Sequence, residues 1–137
     1  MSLFNVLDVS GSAMSAQSVR INTTASNLAN ANSVSSSANE TYRARQPVFA
    51  AELNKAVNGD HSVPVQVLGV VESDRPLNIE YAPNHPMANE DGYIFKPNVN
   101  VVEEMSNMIS ASRSYQTSVQ VADAAKMMLQ RTLTLGQ

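Results

Sequence analysis

The chain has 137 residues, enough for one domain or for one domain with extensions. Its net charge is −3 and its nine basic residues are scattered, so the composition gives no electrostatic reason to expect nucleic acid as a partner. Because it has no cysteine, it can form no disulfide framework, thiol nucleophile or thiolate metal site. No apolar run reaches the roughly 18 residues of a membrane-spanning helix, and no charged leader precedes an apolar core at the N-terminus. We therefore expect no transmembrane segment and no cleavable signal peptide.

The first predicted element is a helix from about Leu3 to Leu28. Residues on one face recur at alternating steps of four and three, the spacing of a heptad seam. The positions of this N-terminal seam are Phe4, Leu7, Gly11, Met14, Ser18, Ile21, Ala25 and Leu28. Many neighbouring positions hold serine or alanine, so the seam allows close approach of another helix but buries little area per turn. The pattern fits either a helix of an ordinary core or a helix that is stabilised by assembly.

A cluster of asparagine and serine overlaps the end of this helix. It consists of Ser26, Asn27, Leu28, Ala29, Asn30, Ala31 and Asn32, and a serine-rich stretch continues to Asn39. Because these polar side chains compete for backbone hydrogen bonds, the cluster predicts the end of a helix and the beginning of turns. Its asparagines could serve only this local purpose, or Asn27, Asn30 and Asn32 could bond to the backbone of a neighbouring chain. Composition leaves both interpretations open.

The middle of the chain, from about Tyr42 to Pro97, contains all six prolines and three of the five glycines. It therefore favours short strands over long helices. Alternating or β-branched runs indicate strands around Val48-Phe49, from Val63 to Glu72, from Leu77 to Tyr81 and from Tyr93 to Phe95. Turn signals occur at Asn58-Gly59-Asp60 and at residues 89–92. We expect a small β-rich insert.

A second helix is predicted from Asn100 to Leu135, the longest run without glycine or proline. Asn100 can cap the first turn with its side-chain oxygen, and Glu103 lies where it can bond back to the cap. Glu103 and Glu104 also place negative charge at the positive end of the helix dipole. At the other end, Gly136 can take the left-handed conformation that stops a helix.

This second helix is apolar on more than one face, because a heptad seam runs along it and further apolar residues lie beside the seam or opposite it. The seam positions are Val101, Met105, Met108, Ser112, Tyr115, Val119, Ala122, Lys126, Leu129 and Leu133, and Ser112 and Lys126 interrupt its apolar character. The positions that we assign to assembly are Val101, Met105, Met108, Ile109, Tyr115, Val119, Ala122, Met128, Leu129, Leu133 and Leu135. The helix is on the order of 50 Å long, whereas a compact chain of this size has a radius of gyration of about 14 Å. The chain cannot bury such a helix by itself.

Few residues could form a catalytic or metal site. His61 and His85 lie beside turn residues without metal-ligand spacing, and the serines and glycines lack the context of a nucleophile elbow or a phosphate loop. The helix dipole already explains the pair Glu103-Glu104. We therefore predict that the protein is not an enzyme and has no catalytic residue, metal or cofactor.

Several segments are together similar to one family of proteins. The cluster from Ser26 to Asn32, preceded by a heptad helix, resembles the signature of bacterial flagellar rod and hook proteins. Similarity to the proximal-rod branch of that family is carried by Ser10 to Met14, Gly92-Tyr93, Pro97 to Met105, Ser110 to Gln116 and Thr132 to Gln137. The generic pattern continues after the asparagine motif with a short gap and Gly-Tyr. Here a serine-rich insert intervenes, and Tyr42-Arg43 lacks the glycine.

The resemblance implies a structural subunit of the rod of the flagellar basal body. Members of the family are exported largely unfolded through the flagellar type III apparatus and form a tubular drive shaft that transmits torque across the periplasm. Their terminal helices pair as an inner layer, and the segment between them forms an outer domain. For this chain the resemblance implies a mainly α fold, with its two long terminal helices paired as a coiled-coil-like hairpin and a small β-rich insert between them.

The implied domains are an inner assembly domain made of residues 1–33 and 98–137, and a loop and β-rich insert at residues 34–97. The family's packing positions map onto the N-terminal seam, the motif from Asn27 to Asn32 and the helix from Val101 to Leu135. The implied partners are copies of the chain, other rod subunits and rod-base components near the inner-membrane ring. The residues alone also allow a soluble two-helix coiled-coil binding module with a small β domain.

Overall fold

A computed structural model of the chain describes residues 3–52 and 63–136. Two long helices enclose four short strands in sequence order. The elements are α1 (Leu3–Asn30), β1 (Arg45–Ala51), β2 (Val65–Glu72), β3 (Asn78–Tyr81), β4 (Tyr93–Lys96) and α2 (Val101–Leu135). The predicted arrangement of long terminal helices around a small β-rich insert is confirmed. The turn signal at Asn58-Gly59-Asp60 and the nearby His61 lie outside the described residues.

The two helices form an antiparallel pair, which is the largest contact between elements of the described chain. Arg20 on α1 donates a hydrogen bond from Nη2 to Asn107 Oδ1 on α2, at 3.0 Å. Thr24, one turn later on α1, shares a cleft with Glu104, about one turn earlier on α2. Residue numbers therefore run in opposite directions along the contact.

The buried residues of the two helices have small or polar side chains. α1 buries Ser10, Ala16, Thr23, Thr24 and Asn27, and α2 buries Glu104, Ala111 and Ala125. All three of the α2 residues directly precede a position of the predicted heptad seam, and so do Ser10, Thr24 and Asn27 on α1. Most of the buried residues of the two helices therefore lie directly beside the predicted seams rather than on them. The apolar seam residues lie at the border of the contact.

Strands β1 and β2 form an antiparallel hairpin that lies along α1. Arg45 pairs with Glu72 at its open end, and Ala51 pairs with Val65 towards its tip. A bulge places Leu68 between the paired residues of β2, because β1 has no residue opposite it. The N–H of Val65 donates to Ser12 Oγ at 3.1 Å, which ties β2 to the first half of α1.

Strands β3 and β4 form a second antiparallel hairpin, in which the rings of Tyr81 and Tyr93 meet edge to face with centroids 5.2 Å apart. The predicted turn before β4 is confirmed, since Asn89 Oδ1 accepts from the N–H groups of Asp91 and Tyr93. Gly92 has a φ of +83° in this turn, and a Cβ added there would lie 2.9 Å from Tyr81 Cε2. Only glycine fits this position without strain.

The serine-rich segment after α1 is attached to the second hairpin. Ser35 and Phe95 exchange both backbone hydrogen bonds at 3.0 Å, so a single residue pairs with the free edge of β4. Ser35 Oγ and Thr41 Oγ1 both donate to the carbonyl of Ser37 at 2.7 Å. The two hydroxyl groups thus provide hydrogen bonds to the backbone of this turn, whose conformation could not be predicted from the low-complexity sequence.

The start of α2 agrees with the sequence, but its end does not. Asn100 caps the helix by accepting from the N–H groups of Val102 and Glu103, as predicted. The predicted bond from Glu103 back to the cap is not made, because the Glu103 carboxylate accepts from Arg75 Nη1 at 3.0 Å instead. Gly136 has a φ of −89°, so the prediction of a left-handed stop is wrong. Its N–H keeps the helical bond to the Thr132 carbonyl at 3.2 Å, so that carbonyl has a hydrogen-bond partner without a left-handed turn.

The apolar core of the described chain is small. Apart from Pro64 and Pro97, its buried apolar residues are Ala16, Ala44, Ile94, Ala111 and Ala125, of which four are alanine. The chain exposes 9168 Å² of accessible surface. A folded monomer of 14.7 kDa is expected to expose about 6,900 Å². The molecule therefore presents roughly 2,200 Å² more surface than a compact chain of its mass.

Candidate assembly surface and the joint between helices and strands

The first turns of α2 present an apolar patch that no other described element covers. We call this the proximal patch, and it consists of Val101, Val102, Met105 and Ile109. Their spacing places them on one face of the helix. Val102 is 73% exposed, and the other three are each more than 40% exposed. A contiguous exposed patch of this kind is typical of a contact surface.

A second apolar patch lies at the end of α2. Because Arg20 is level with Asn107 and Thr24 with Glu104, Leu3 at the start of α1 is level with about residues 124–125. The residues of α2 after Ala125 therefore extend about 15 Å beyond α1. This distal patch consists of Val121, Met127, Met128, Leu133 and Leu135, all exposed. Ala124, Met127, Met128 and Arg131 line a shallow cleft on it.

The residues that the sequence assigns to assembly fall into two groups by exposure. On α2, Met108, Val119, Ala122 and Leu129 are half-buried. The exposed members are Val101, Met105, Ile109, Tyr115, Met128, Leu133 and Leu135. On α1, Phe4 and Ala25 are exposed, and Leu7, Gly11, Met14, Ile21 and Leu28 are half-buried. The two seams thus border the helix contact on its outer side, and their role between subunits stays a prediction.

Both hairpins also expose apolar side chains, which the sequence reasoning did not assign to any surface. Leu68, Val70 and Val71 of β2 and Ile79 and Tyr81 of β3 are all exposed. The signal was present in β2, where apolar residues occur on both faces of the strand. A two-stranded hairpin packed on one helix can cover only one of those faces.

Asn27 joins the end of α1 to the start of β1. Its side chain is 1% exposed and accepts at Oδ1 from the Arg45 N–H at 2.9 Å and from the Tyr42 hydroxyl at 2.8 Å. Its Nδ2 donates to the Arg45 carbonyl at 2.8 Å. Of the predicted motif, Asn30 bonds within α1, to the carbonyl of Ser26, and Asn32 is exposed. Asn27 therefore bonds to the backbone of its own chain.

Asn98 joins the same strand to the segment that leads into α2. Its Oδ1 accepts from the Ala44 N–H at 2.8 Å, and its Nδ2 donates to the carbonyls of Arg75 at 2.8 Å and Ser73 at 3.3 Å. The N–H of Ser73 donates in turn to the Ala44 carbonyl at 2.8 Å. Sequence reasoning missed Asn98. The available signal was that the run from Pro97 to Asn100 holds two asparagines, and only Asn100 has a capping role.

The charges around these asparagines are arranged in pairs. The guanidinium of Arg45 lies 5.5 Å from the centre of the Tyr42 ring, and Arg45 also pairs with Glu72 at 3.7 Å. Burial raises the pKa of the Tyr42 hydroxyl, so it remains a donor to Asn27. The hydrogen bond from Arg75 to Glu103 raises the pKa of Arg75 and links the segment before β3 to the start of α2.

Side chains of the kind that bind metals or act in catalysis do not cluster in the rest of the described residues. Within residues 3–52 and 63–136, no group of three or more His, Cys, Asp or Glu is close enough to hold a metal ion. His85 accepts from the Met87 N–H at Nδ1, 3.1 Å away, and so serves its own loop. Neither described helix is long and apolar enough to cross a membrane.

Family comparisons match both ends of the chain. Residues 7–35 match the family described as flagella basal body rod protein, and residues 90–135 match the family described as flagellar basal body rod FlgEFG protein C-terminal. The first match covers most of α1 and the asparagine motif, and the second covers β4 and α2. These regions define the class as flagellar basal-body rod proteins.

Curated relatives match over their full length and over that of this chain. The flagellar basal-body rod protein FlgC of Salmonella typhimurium is 47% identical, and that of Escherichia coli O6:H1 is 48% identical. The corresponding protein of Bacillus subtilis is 34% identical over an alignment of 158 positions. The chain therefore belongs to the family of the flagellar basal-body rod protein FlgC. It is a structural protein and not an enzyme.

Proposed function

We propose that the chain assembles into the flagellar rod through the outer faces of its two terminal helices. The contacts would use the proximal patch, the distal patch and the exposed members of the N-terminal seam such as Phe4. The observation that carries this proposal is the excess exposed surface of about 2,200 Å². A standard protein interface buries about 800 Å² on each partner, so the excess corresponds to two or three such contacts.

The finer features of the proposal follow the family resemblance. Residues 1–33 and 98–137 would form the inner layer of the rod as a coiled-coil-like hairpin, and residues 34–97 would form its outer part. The subunit would reach the periplasm through the type III export apparatus and there transmit torque. Its neighbours would be copies of itself, other rod subunits and components near the inner-membrane ring. The antiparallel helix pair supports the hairpin part of this description.

A soluble two-helix binding module is the alternative that the residues allow. Such a module needs only the face by which α1 and α2 pack together. It gives no reason for apolar residues on the other faces of α2, yet Val102 and Leu135 there are 73% and 88% exposed. Many neighbours around one helix account for these residues, since a helix that is apolar on several faces must be buried on several faces.

A charge placed in the proximal patch tests the proposal. Ile109→Asp puts a carboxylate at an exposed position, so the isolated subunit should keep its helix content. In a rod, the same carboxylate would be buried against a neighbour without a partner, which costs several kcal/mol. We expect far fewer copies of the variant in isolated basal bodies, as measured by quantitative immunoblot, and a loss of motility.

The matched control is Ser110→Asp, which adds the same charge at an adjacent exposed polar position of the same helix. Export is measured separately, as the amount of each variant that leaves the cytoplasm. Incorporation of Ile109→Asp at the level of the unmodified chain would show that the proximal patch is not a contact surface.

A further inference from the structure

The hairpin formed by β3 and β4 is attached to the rest of the described molecule mainly at its root. The backbones of β3 and β4 lie close to each other and not to a helix or to the β1–β2 hairpin, although the side chain of Ile94 in β4 is buried. The direction of this hairpin therefore depends on the segments at its root. These segments are the one before β3 (residues 73–77), the one after β4 (residues 97–100) and the single pairing of Ser35 with Phe95.

The hydrogen bonds of Asn27 and Asn98 meet at two consecutive residues, Ala44 and Arg45. Asn98 accepts from the N–H of Ala44. Asn27 accepts from the N–H of Arg45 and donates to the carbonyl of the same residue. The remaining polar group, the carbonyl of Ala44, accepts from the N–H of Ser73. The N–H and carbonyl groups of Ala44 and Arg45 are thus all hydrogen-bonded to residues outside β1.

These bonds form a continuous path from the helix pair to the root of the projecting hairpin. Asn27 fixes Arg45 to α1. Asn98 fixes Ala44 to the segment after β4, and the two donors of its amide reach the carbonyls of Ser73 and Arg75 before β3. Asn98 therefore holds together both sides of the hairpin root, at a position two residues before the Asn100 cap of α2.

We propose that Asn27 and Asn98 are positioning residues that form a two-amide joint and fix the direction of the β3–β4 hairpin relative to the helix pair. An amide is needed at both positions because each side chain accepts from one backbone group and donates to another. A carboxylate would keep the accepting role and lose the donating one. In the rod, the joint would make the outer part turn rigidly with the helices. This role rests on the proposed function.

Distance measurements between paired spin labels test the joint in the full chain. The chain has no cysteine, so Asn22→Cys on α1 and Asn84→Cys between β3 and β4 give one specific pair of labels at exposed positions. A second pair, Asn22→Cys with Ser110→Cys, reports on the packing of the two helices alone. We expect one narrow distance distribution for each pair in the unmodified joint.

Asn27→Asp and Asn98→Asp should each replace the narrow distribution of the hairpin pair by a broad one, while the helix pair stays narrow and the helix content is unchanged. Asn30→Asp is the matched control, because the side chain of Asn30 bonds within α1, to the carbonyl of Ser26. If Asn27→Asp loses helicity, Asn98→Asp still carries the test, since Asn98 lies outside both helices. An unchanged hairpin distribution in Asn98→Asp, or a broad one in the unmodified chain, would overturn the proposal. The measurement uses free protein, so its outcome is independent of the incorporation of Ile109→Asp into rods.

Discussion

Tyr42 shows how a single hydroxyl contributes to the joint between helix and strand. Its O–H donates to Asn27 Oδ1, and burial is the largest of the effects that raise the pKa of the hydroxyl. Arg45 over the ring opposes that shift, whereas Glu104 and Glu72 add to it. The folded state therefore favours the neutral phenol, which is the form that can donate.

Removal of this hydroxyl should weaken the fold modestly. In Tyr42→Phe, Asn27 Oδ1 still accepts from the Arg45 N–H, so the acceptor is not left without a partner. We expect the free energy of unfolding to fall by about 1 kcal/mol, the usual contribution of one hydrogen bond. Denaturant titration at neutral pH measures this difference, and an equal stability of the two proteins would contradict it.

The same variant should change how stability depends on pH. Above the ordinary pKa of 10.0, the unfolded chain loses the Tyr42 proton while the folded chain retains it. The contribution of this shift to the free energy of unfolding is therefore fully present below the ordinary pKa and is lost as the pH rises towards the folded pKa. Between about pH 8 and about pH 11, Tyr42→Phe should lose less stability than the unmodified chain. Parallel curves would show that Tyr42 does not titrate with folding.

The helix pair depends on small residues at its contact. Ala111 is 0% exposed on the face of α2 that meets α1, so a larger side chain has no free volume to enter. Ala111→Leu should force the helices apart at a cost of about 1–3 kcal/mol, as overpacking does in protein cores. Thermal unfolding followed by circular dichroism measures this. Ala124→Leu on the same helix is the control, because Ala124 is exposed and should tolerate leucine with little change.

Both helices and all four strands could be predicted because their signals are local. Asn100 begins α2 by bonding to the first turn, and Asn89 and Gly92 shape the turn before β4 with their own side chain and backbone. The end of α2 could not be predicted as well. A glycine permits the left-handed stop without requiring it, and Gly136 keeps the ordinary helical bond.

The contact face of the helices could not be predicted from periodicity alone. Heptad spacing identifies an apolar stripe, but it does not say whether the first partner of that stripe is in the same chain. Within this chain the buried apolar residues of α2 are Ala111 and Ala125, each one residue before a seam position. Asn98 was missed for a related reason, since its partners Ala44 and Arg75 are distant in sequence.

At the scale of the whole molecule, the two ends of α2 differ in how many contacts hold them. The first part of α2 is held by its cap, by the Arg75–Glu103 bond and by α1, whereas the residues after Ala125 extend beyond α1. A helix end without tertiary contacts is only marginally stable in water. The free subunit should therefore have a well-ordered joint and a weakly ordered distal end of α2, which becomes ordered when neighbours cover it.

Limited proteolysis with trypsin can compare these two regions in one experiment. Arg131 lies in the extension of α2 beyond α1, and Arg113 lies on the exposed side of the paired part. Because cleavage requires local unfolding, free subunits should be cut at Arg131 much earlier than at Arg113. In isolated rods both sites should be protected. Equal cleavage rates at the two sites in the free subunit would show that pairing with α1 does not stabilise α2. Persistent cleavage at Arg131 in the rod would show that no neighbour covers the distal patch.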